Sequence, residues 1–192
     1  MKRSSRTSGR QKFRLSVTVV AMALVAVTLA VPAAGGQGKG KSKGLAPDLD
    51  GCPQLAVESG NKVFFRVYAE GVQIYRWNGT TWVFVAPEAD LFANVGGTGL
   101  IGVHYAGPTW ESVSGSKVVG AVLERCTPDP NDIQWLLLSA VSSEGPGPFA
   151  KVTHIQRVNT SGGTAPAQPG NFPGEEARVP YTTEYYFYRE HP

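Results

Sequence analysis

The sequence predicts an all-β fold: a single-domain antiparallel β-sandwich, with a partly closed β-barrel as the alternative. Three observations carry this. From Gln54 onward, short apolar or alternating runs are punctuated by Gly, Pro, Asn and Asp at the spacing of strands joined by turns. Asn78-Gly79 separates two runs rich in β-formers, and Asn-Gly is the preferred pair for a two-residue hairpin loop. No stretch shows a helical period with caps; the nearest, 131–138, follows Pro130 and turns strand-like at Trp135-Leu136-Leu137-Leu138. Strand count and turn spacing leave sandwich and barrel both open.

The chain begins with a different kind of segment. Lys2, Arg3, Arg6, Arg10, Lys12 and Arg14 precede an uncharged apolar run over 15–31, and small residues follow at Ala33, Ala34, Gly35 and Gly36. A basic region, an apolar region and a small-residue exit make a Sec-type secretory signal, expected to cover 1–33 with Ala34 as a rival cleavage point. The apolar run is short for a spanning helix, which needs about 20 residues, so no stable membrane anchor is expected after cleavage. A Gly/Lys-rich flexible linker follows over 34–51, and the β-domain occupies 52–192. The mature protein is therefore expected to be secreted.

Cleavage reverses the charge. The whole chain carries +3, but six of its 18 basic residues and none of its 15 acidic ones lie in 1–33, which leaves −3. The electrostatic warrant for a nucleic-acid partner disappears with the signal. Cys52 and Cys126 are the two cysteines, and outside the cytoplasm such a pair forms a disulfide more often than two buried thiols.

Strands are expected at 62–69, 72–77, 81–85, 100–105, 117–124, 135–140, 150–158 and 184–188. A two-residue turn at Asn78-Gly79 would set Trp77 opposite Thr80, Tyr75 opposite Trp82 and Gln73 opposite Phe84. One side of the hairpin then shows Gln73, Tyr75, Trp77, Trp82 and Phe84. The other shows Val72, Ile74, Val83 and Val85, and this aliphatic side reads as core. The aromatic side is either a second buried layer or an exposed platform.

Several short motifs fail on context. Gly97-Thr98-Gly99-Leu100-Ile101-Gly102 matches a dinucleotide fingerprint, but strand-like Val103-His104-Tyr105 follows where the phosphate-binding helix should start, so a turn entering a strand is expected. Ser114-Gly115-Ser116-Lys117 fits S-x-x-K, yet Val118 and Val119 announce a strand where a catalytic serine needs a helix. The three histidines, His104, His154 and His191, lack metal-ligand spacing; no metal site and no cofactor are expected.

With these residues set out, the domain resembles a family of secreted bacterial and fungal proteins known as domain of unknown function 3455. The resemblance runs from about Val63 to Tyr188. It rests on Ala69-Glu70-Gly71-Val72-Gln73-Ile74-Tyr75, Ala86-Pro87-Glu88-Ala89-Asp90-Leu91, His104-Tyr105-Ala106-Gly107-Pro108-Thr109-Trp110 and Gly115-Ser116-Lys117-Val118-Val119-Gly120. Trp135-Leu136-Leu137-Leu138, Ile155-Gln156-Arg157, Thr160-Ser161-Gly162-Gly163, Val179-Pro180-Tyr181 and Tyr185-Tyr186-Phe187-Tyr188 complete it. The resemblance implies no activity. It also implies two cysteines that this chain lacks, at the places of Trp77 and of the 168–171 stretch; their joint absence fits a disulfide between those places in relatives. Cys52–Cys126 then reads as a replacement staple.

The functional expectation is a non-catalytic extracellular binding module, for cell-wall or other extracellular polysaccharide. Candidate ligand-binding residues are Gln73, Tyr75, Trp77, Trp82, His104, Trp110, Glu111 and Lys117, because flat rings stack on sugar C–H groups while polar neighbours bond the hydroxyls. The alternatives are a hydrolytic or metal-assisted enzyme using His104 with a carboxylate such as Glu88 or Glu111, and a structural envelope protein.

Overall fold

Alternation between apolar and polar residues runs further along this chain than its glycines and prolines suggest. The structure, a computed structural model, describes residues 45–49 and 51–191; the expected signal and most of the linker lie outside them. Eight strands form: β1 (Asn61–Trp77), β2 (Trp82–Asn94), β3 (Thr98–Tyr105), β4 (Thr109–Ser112), β5 (Lys117–Cys126), β6 (Trp135–Glu144), β7 (His154–Gly162) and β8 (Glu176–Glu190). Each pairs antiparallel with the next in the chain, and β8 returns to pair with β1 from Asn61↔Glu190 to Arg76↔Glu176. The all-β antiparallel expectation holds. Its architecture is one sheet closed on itself, the barrel of the alternative rather than two stacked sheets.

Closure changes how the local signals act. Gly71, which separated two expected strands, lies inside the continuous β1, where a Cβ would meet the Glu88 carbonyl oxygen at 2.1 Å. The glycine permits a close strand approach and does not end the strand. Pro87 likewise sits inside β2, next to a register shift at Ile74/Tyr75 that gives β2 one extra residue. The expected strand at 150–158 starts only at His154, and β4 is a strand of four residues that its short sequence did not announce.

The hairpin loop is longer than expected. Trp77 pairs with Trp82 and Tyr75 with Phe84, leaving a four-residue loop, Asn78 to Thr81. The Asn78 side chain accepts the Thr80 and Thr81 N–H groups, both at 2.9 Å, and Gly79 takes a φ of 97°. An asparagine that folds the loop over its own oxygen serves four residues as well as two. The change of register is two residues, so the faces keep their composition. The aliphatic side is not the expected core, since only Ile74 of its four aliphatics is buried, and the aromatic side is a buried layer as far as Phe84, which is exposed. Gln73, Tyr75 and Trp77 are buried, whereas Val83 and Val85 are 46% and 43% exposed. A barrel end is wide, and large rings fill it where valines would not.

Inside the barrel, Val67, Ala69, Leu91, Trp110, Val118, Leu138, Ile155, Tyr185 and Phe187 form one apolar core. Phe149, from the segment joining β6 to β7, plugs one end; its N–H donates to Ser116 Oγ at 3.2 Å. Ser116 is itself buried and bonded to Ser112, which gives the S-x-x-K stretch a packing role at a turn. Outside the barrel, the segment before β1 lies as a strap across β6–β8. Leu55 packs on Leu137, and Val57 on Val158, Tyr186 and Tyr188. Gln156 Nε2 donates to the Leu55 carbonyl at 2.6 Å, and the Tyr188 hydroxyl donates to Gln156 Oε1. The Cys52–Cys126 disulfide fastens the strap to the end of β5.

Candidate functional site

The barrel end opposite Phe149 is open. There the C-terminal halves of β1, β3, β5 and β7 meet the start of β2 and β6 around a cavity of about 550 Å³. That volume suits one small molecule. Tyr75, Phe84, Val85 and Pro87 form an apolar wall, with Val122, Ile133 and Leu136 across from them. Phe84 is 50% exposed and stands at the rim.

Polar groups enter from the opposite side. Arg157 follows Ile155 by two residues on β7 and shares its inward parity, since Leu138 pairs with Ile155 and Leu136 with Arg157. Its Nε and Nη2 both donate to the Gln134 carbonyl, at 3.0 and 2.7 Å. Asp132 also lines the cavity, and its Oδ1 accepts the Gly162 N–H at 2.6 Å. The stretch carrying Asp132 and Gln134 is tied further to β7 by Thr160 Oγ1, which donates to the Ile133 carbonyl at 2.7 Å. The Tyr75 hydroxyl donates to the Gly163 carbonyl at 2.7 Å, closing the ring between β1 and the end of β7.

His104 and Gln73 line the floor, with Trp110, Tyr181 and Tyr185 packed behind them. His104 is 3% exposed, stacks on Trp110 at 4.5 Å, and meets the edge of Tyr185 at 5.2 Å. Its Nδ1 lies 2.8 Å from the Thr109 carbonyl, which can only accept, so the proton is on Nδ1 and Nε2 carries a lone pair. Burial pushes the His104 pKa down to about 3; the Thr109 carbonyl opposes this, and the Arg157 charge adds to it. Burial likewise raises the pKa of Tyr75 and Tyr185, against the pull of Arg157. Gln73, the Tyr181 and Tyr185 hydroxyls and Arg157 follow one another as a chain of polar neighbours in this layer, while Trp110 Nε1 is buried without a hydrogen-bond partner.

The candidates read from the sequence fall into three places. Gln73, Tyr75 and His104 line the cavity, and Trp110 lies beneath it. Trp77 and Trp82 pack together at 5.4 Å beside a separate groove of about 240 Å³, covered by the 165–169 stretch; Trp82 Nε1 donates to the Gln168 carbonyl at 2.9 Å. Trp77 is buried there, so the aromatic face of the hairpin is not an open platform. Glu111 and Lys117 stand on the outer surface, where Glu111 accepts the Tyr105 hydroxyl at 2.6 Å and pairs with Lys117 at 3.6 Å. Glu88 is also outside, paired with Arg178. Among the described residues no carboxylate is hydrogen-bonded to His104.

Sequence reasoning missed Arg157, Asp132, Gln134, Tyr181 and Tyr185. The available signal was Arg157 itself: a charge two residues from the apolar Ile155 and therefore on its face of the strand.

A family model matches residues 58–189, from just before β1 to the next-to-last residue of β8, and its description is Protein of unknown function (DUF3455). No curated protein and no solved structure matches the chain.

Proposed function

The chain belongs to that family of unknown function, whose model spans nearly the whole barrel, and from the barrel's own geometry we propose that it is a non-catalytic module that binds one small molecule in the open end. A closed eight-stranded sheet leaves an interior that side chains just fill or that holds one small ligand. Here one end is filled by Phe149 and the other is not. The observation that carries the reading is the open end itself, a cavity of about 550 Å³ with an apolar wall and with Arg157, Asp132 and Gln134 on its lining.

Two features favour binding over chemistry. His104 has its Nδ1 proton committed to a carbonyl and is neutral far below pH 7, which makes it a hydrogen-bond acceptor and a poor proton shuttle. The cavity also carries an apolar wall of rings and aliphatics with few polar groups opposite, the usual make-up of small-molecule sites. Burial of Gln73 and Trp77 favours a small molecule over a polysaccharide, which draws on an open aromatic face. The proposal includes export, since the strap's disulfide persists in oxidising compartments.

The test is titration with the neutral fluorescent probe N-phenyl-1-naphthylamine. One equivalent should bind with energy transfer from tryptophan. Phe84→Lys, a change at a half-exposed rim position that leaves the core intact, should weaken binding about tenfold by removing one ring face. No saturable binding by the wild-type chain, or binding that Phe84→Lys leaves unchanged, refutes the proposal.

A further inference from the structure

We propose that the molecule bound in this cavity is a carboxylic acid with a flat apolar body, and that Arg157 takes its carboxylate. This rests on the binding reading above and specifies the ligand's chemistry.

Charge gives the first argument. Arg125 and Arg157 line the cavity, with Asp132 the acidic residue among its walls. Asp132 already accepts the Gly162 N–H, and no ion pair joins it to either arginine among the described residues. Arg157 is half-buried, and a cation withdrawn from water without a counter-charge is unfavourable. An anionic ligand relieves this.

Geometry gives the second. The Gln134 carbonyl occupies Nε and Nη2, the lateral fork of the guanidinium, and so fixes its plane. Its remaining N–H groups meet the Tyr185 hydroxyl and, among the described residues, no protein carboxylate. Two parallel N–H groups at the end of a fixed plane match the two oxygens of a carboxylate.

The lining gives the third. Gln73 is on the cavity wall, and its Nε2, which can only donate, is buried beside Tyr181. A donor at the wall suits a ligand that carries acceptors. Gln73 and Tyr181 are adjacent, since a Cβ on Gly163 would touch both, at 3.1 and 2.9 Å. Along the same wall stand Tyr75, two residues from Gln73 on β1, Pro87, the β2 partner of Gln73, and Phe84, which suit a ring.

The experiment compares 2-naphthoic acid with 2-naphthamide, a neutral molecule of nearly the same shape, by calorimetry and tryptophan fluorescence on the folded protein. The wild-type chain should bind the acid about tenfold or more tighter than the amide. Arg157→Gln should bring the two within about twofold of each other, and Arg157→Lys, which keeps the charge and loses the fork, should fall between. Equal binding of acid and amide to the wild type overturns the carboxylate assignment while leaving the cavity reading intact. Failure of both to bind, together with N-phenyl-1-naphthylamine, overturns both. If Arg157→Gln does not fold, the wild-type ratio of acid to amide still decides.

Discussion

Acid should destabilise this barrel through His104 before its carboxylates titrate. In the fold the ring is buried and its pKa falls from 6.5 to about 3. In the unfolded chain it returns to its ordinary value and takes up a proton below about pH 6.5. Between these limits the unfolded state binds more protons, so stability is complete above pH 6.5 and is lost as pH falls toward 3. Between pH 6 and pH 5 the unfolded-state proton alone removes about 1.2 kcal/mol, a sizeable share of a domain's stability. Urea unfolding of the wild-type domain and of His104→Gln, at intervals from about pH 7 to pH 5, measures this directly. Glutamine can still donate to the Thr109 carbonyl but loses the stack on Trp110, so the variant should start less stable. Its decline between pH 6 and pH 5 should be shallower than the wild type's by about that 1.2 kcal/mol. His154 and His191 are common to both proteins and cancel. Parallel declines would mean that His104 takes a proton in the folded barrel, and the neutral floor described above would be wrong.

Two further outcomes are expected. Non-reducing peptide mapping should recover Cys52 joined to Cys126, and reduction should cost about 4 kcal/mol for a loop of 74 residues, read as a lower urea midpoint; an unchanged midpoint would show that the strap holds without its staple. Mass spectrometry of protein exported by its host should give an N-terminus near Ala34 or Gly35, and a chain retaining Lys2–Arg14 in the membrane fraction would refute the signal reading.

The strands were legible because alternation is local, and their closure was not because nothing local encodes it. Whether β8 comes back to β1 depends on pairs such as Asn61↔Glu190, far apart in sequence, and the same alternation would serve two stacked sheets. Gly71 and Pro87 misled for a related reason: each reads as a break by propensity, and tertiary crowding at the Glu88 carbonyl and the β2 bulge keeps them in strands. The parity of Tyr75, Trp77, Trp82 and Phe84 was readable and survived a change of loop length, but the side of the sheet that faces inward was not. Arg157 needed that knowledge to be recognised, since an arginine on an outer face is unremarkable. The resemblance implies cysteines in relatives at the places of Trp77 and of 168–171, and in this chain those places are neighbours. A Cβ on Gly170 would sit 2.8 Å from the Trp77 Cβ, so the two places touch.

The strap also decides the polarity of the molecule as an object that can be held. β1 begins at the plugged end, where the Gly60 carbonyl accepts the His191 N–H at 2.8 Å, so a bare barrel would have both ends of its chain far from the open mouth. Because the residues before β1 run back along the outer wall and are fastened at Cys126, the last residue of β5, the chain at Leu49 instead lies beside the mouth, packed near Trp135. A tag, a bead or a neighbouring domain joined upstream of Leu49 would sit at the ligand's doorway, and one joined after Glu190 would leave it clear. Reducing one sulfur–sulfur bond would free the upstream attachment to swing toward the other pole.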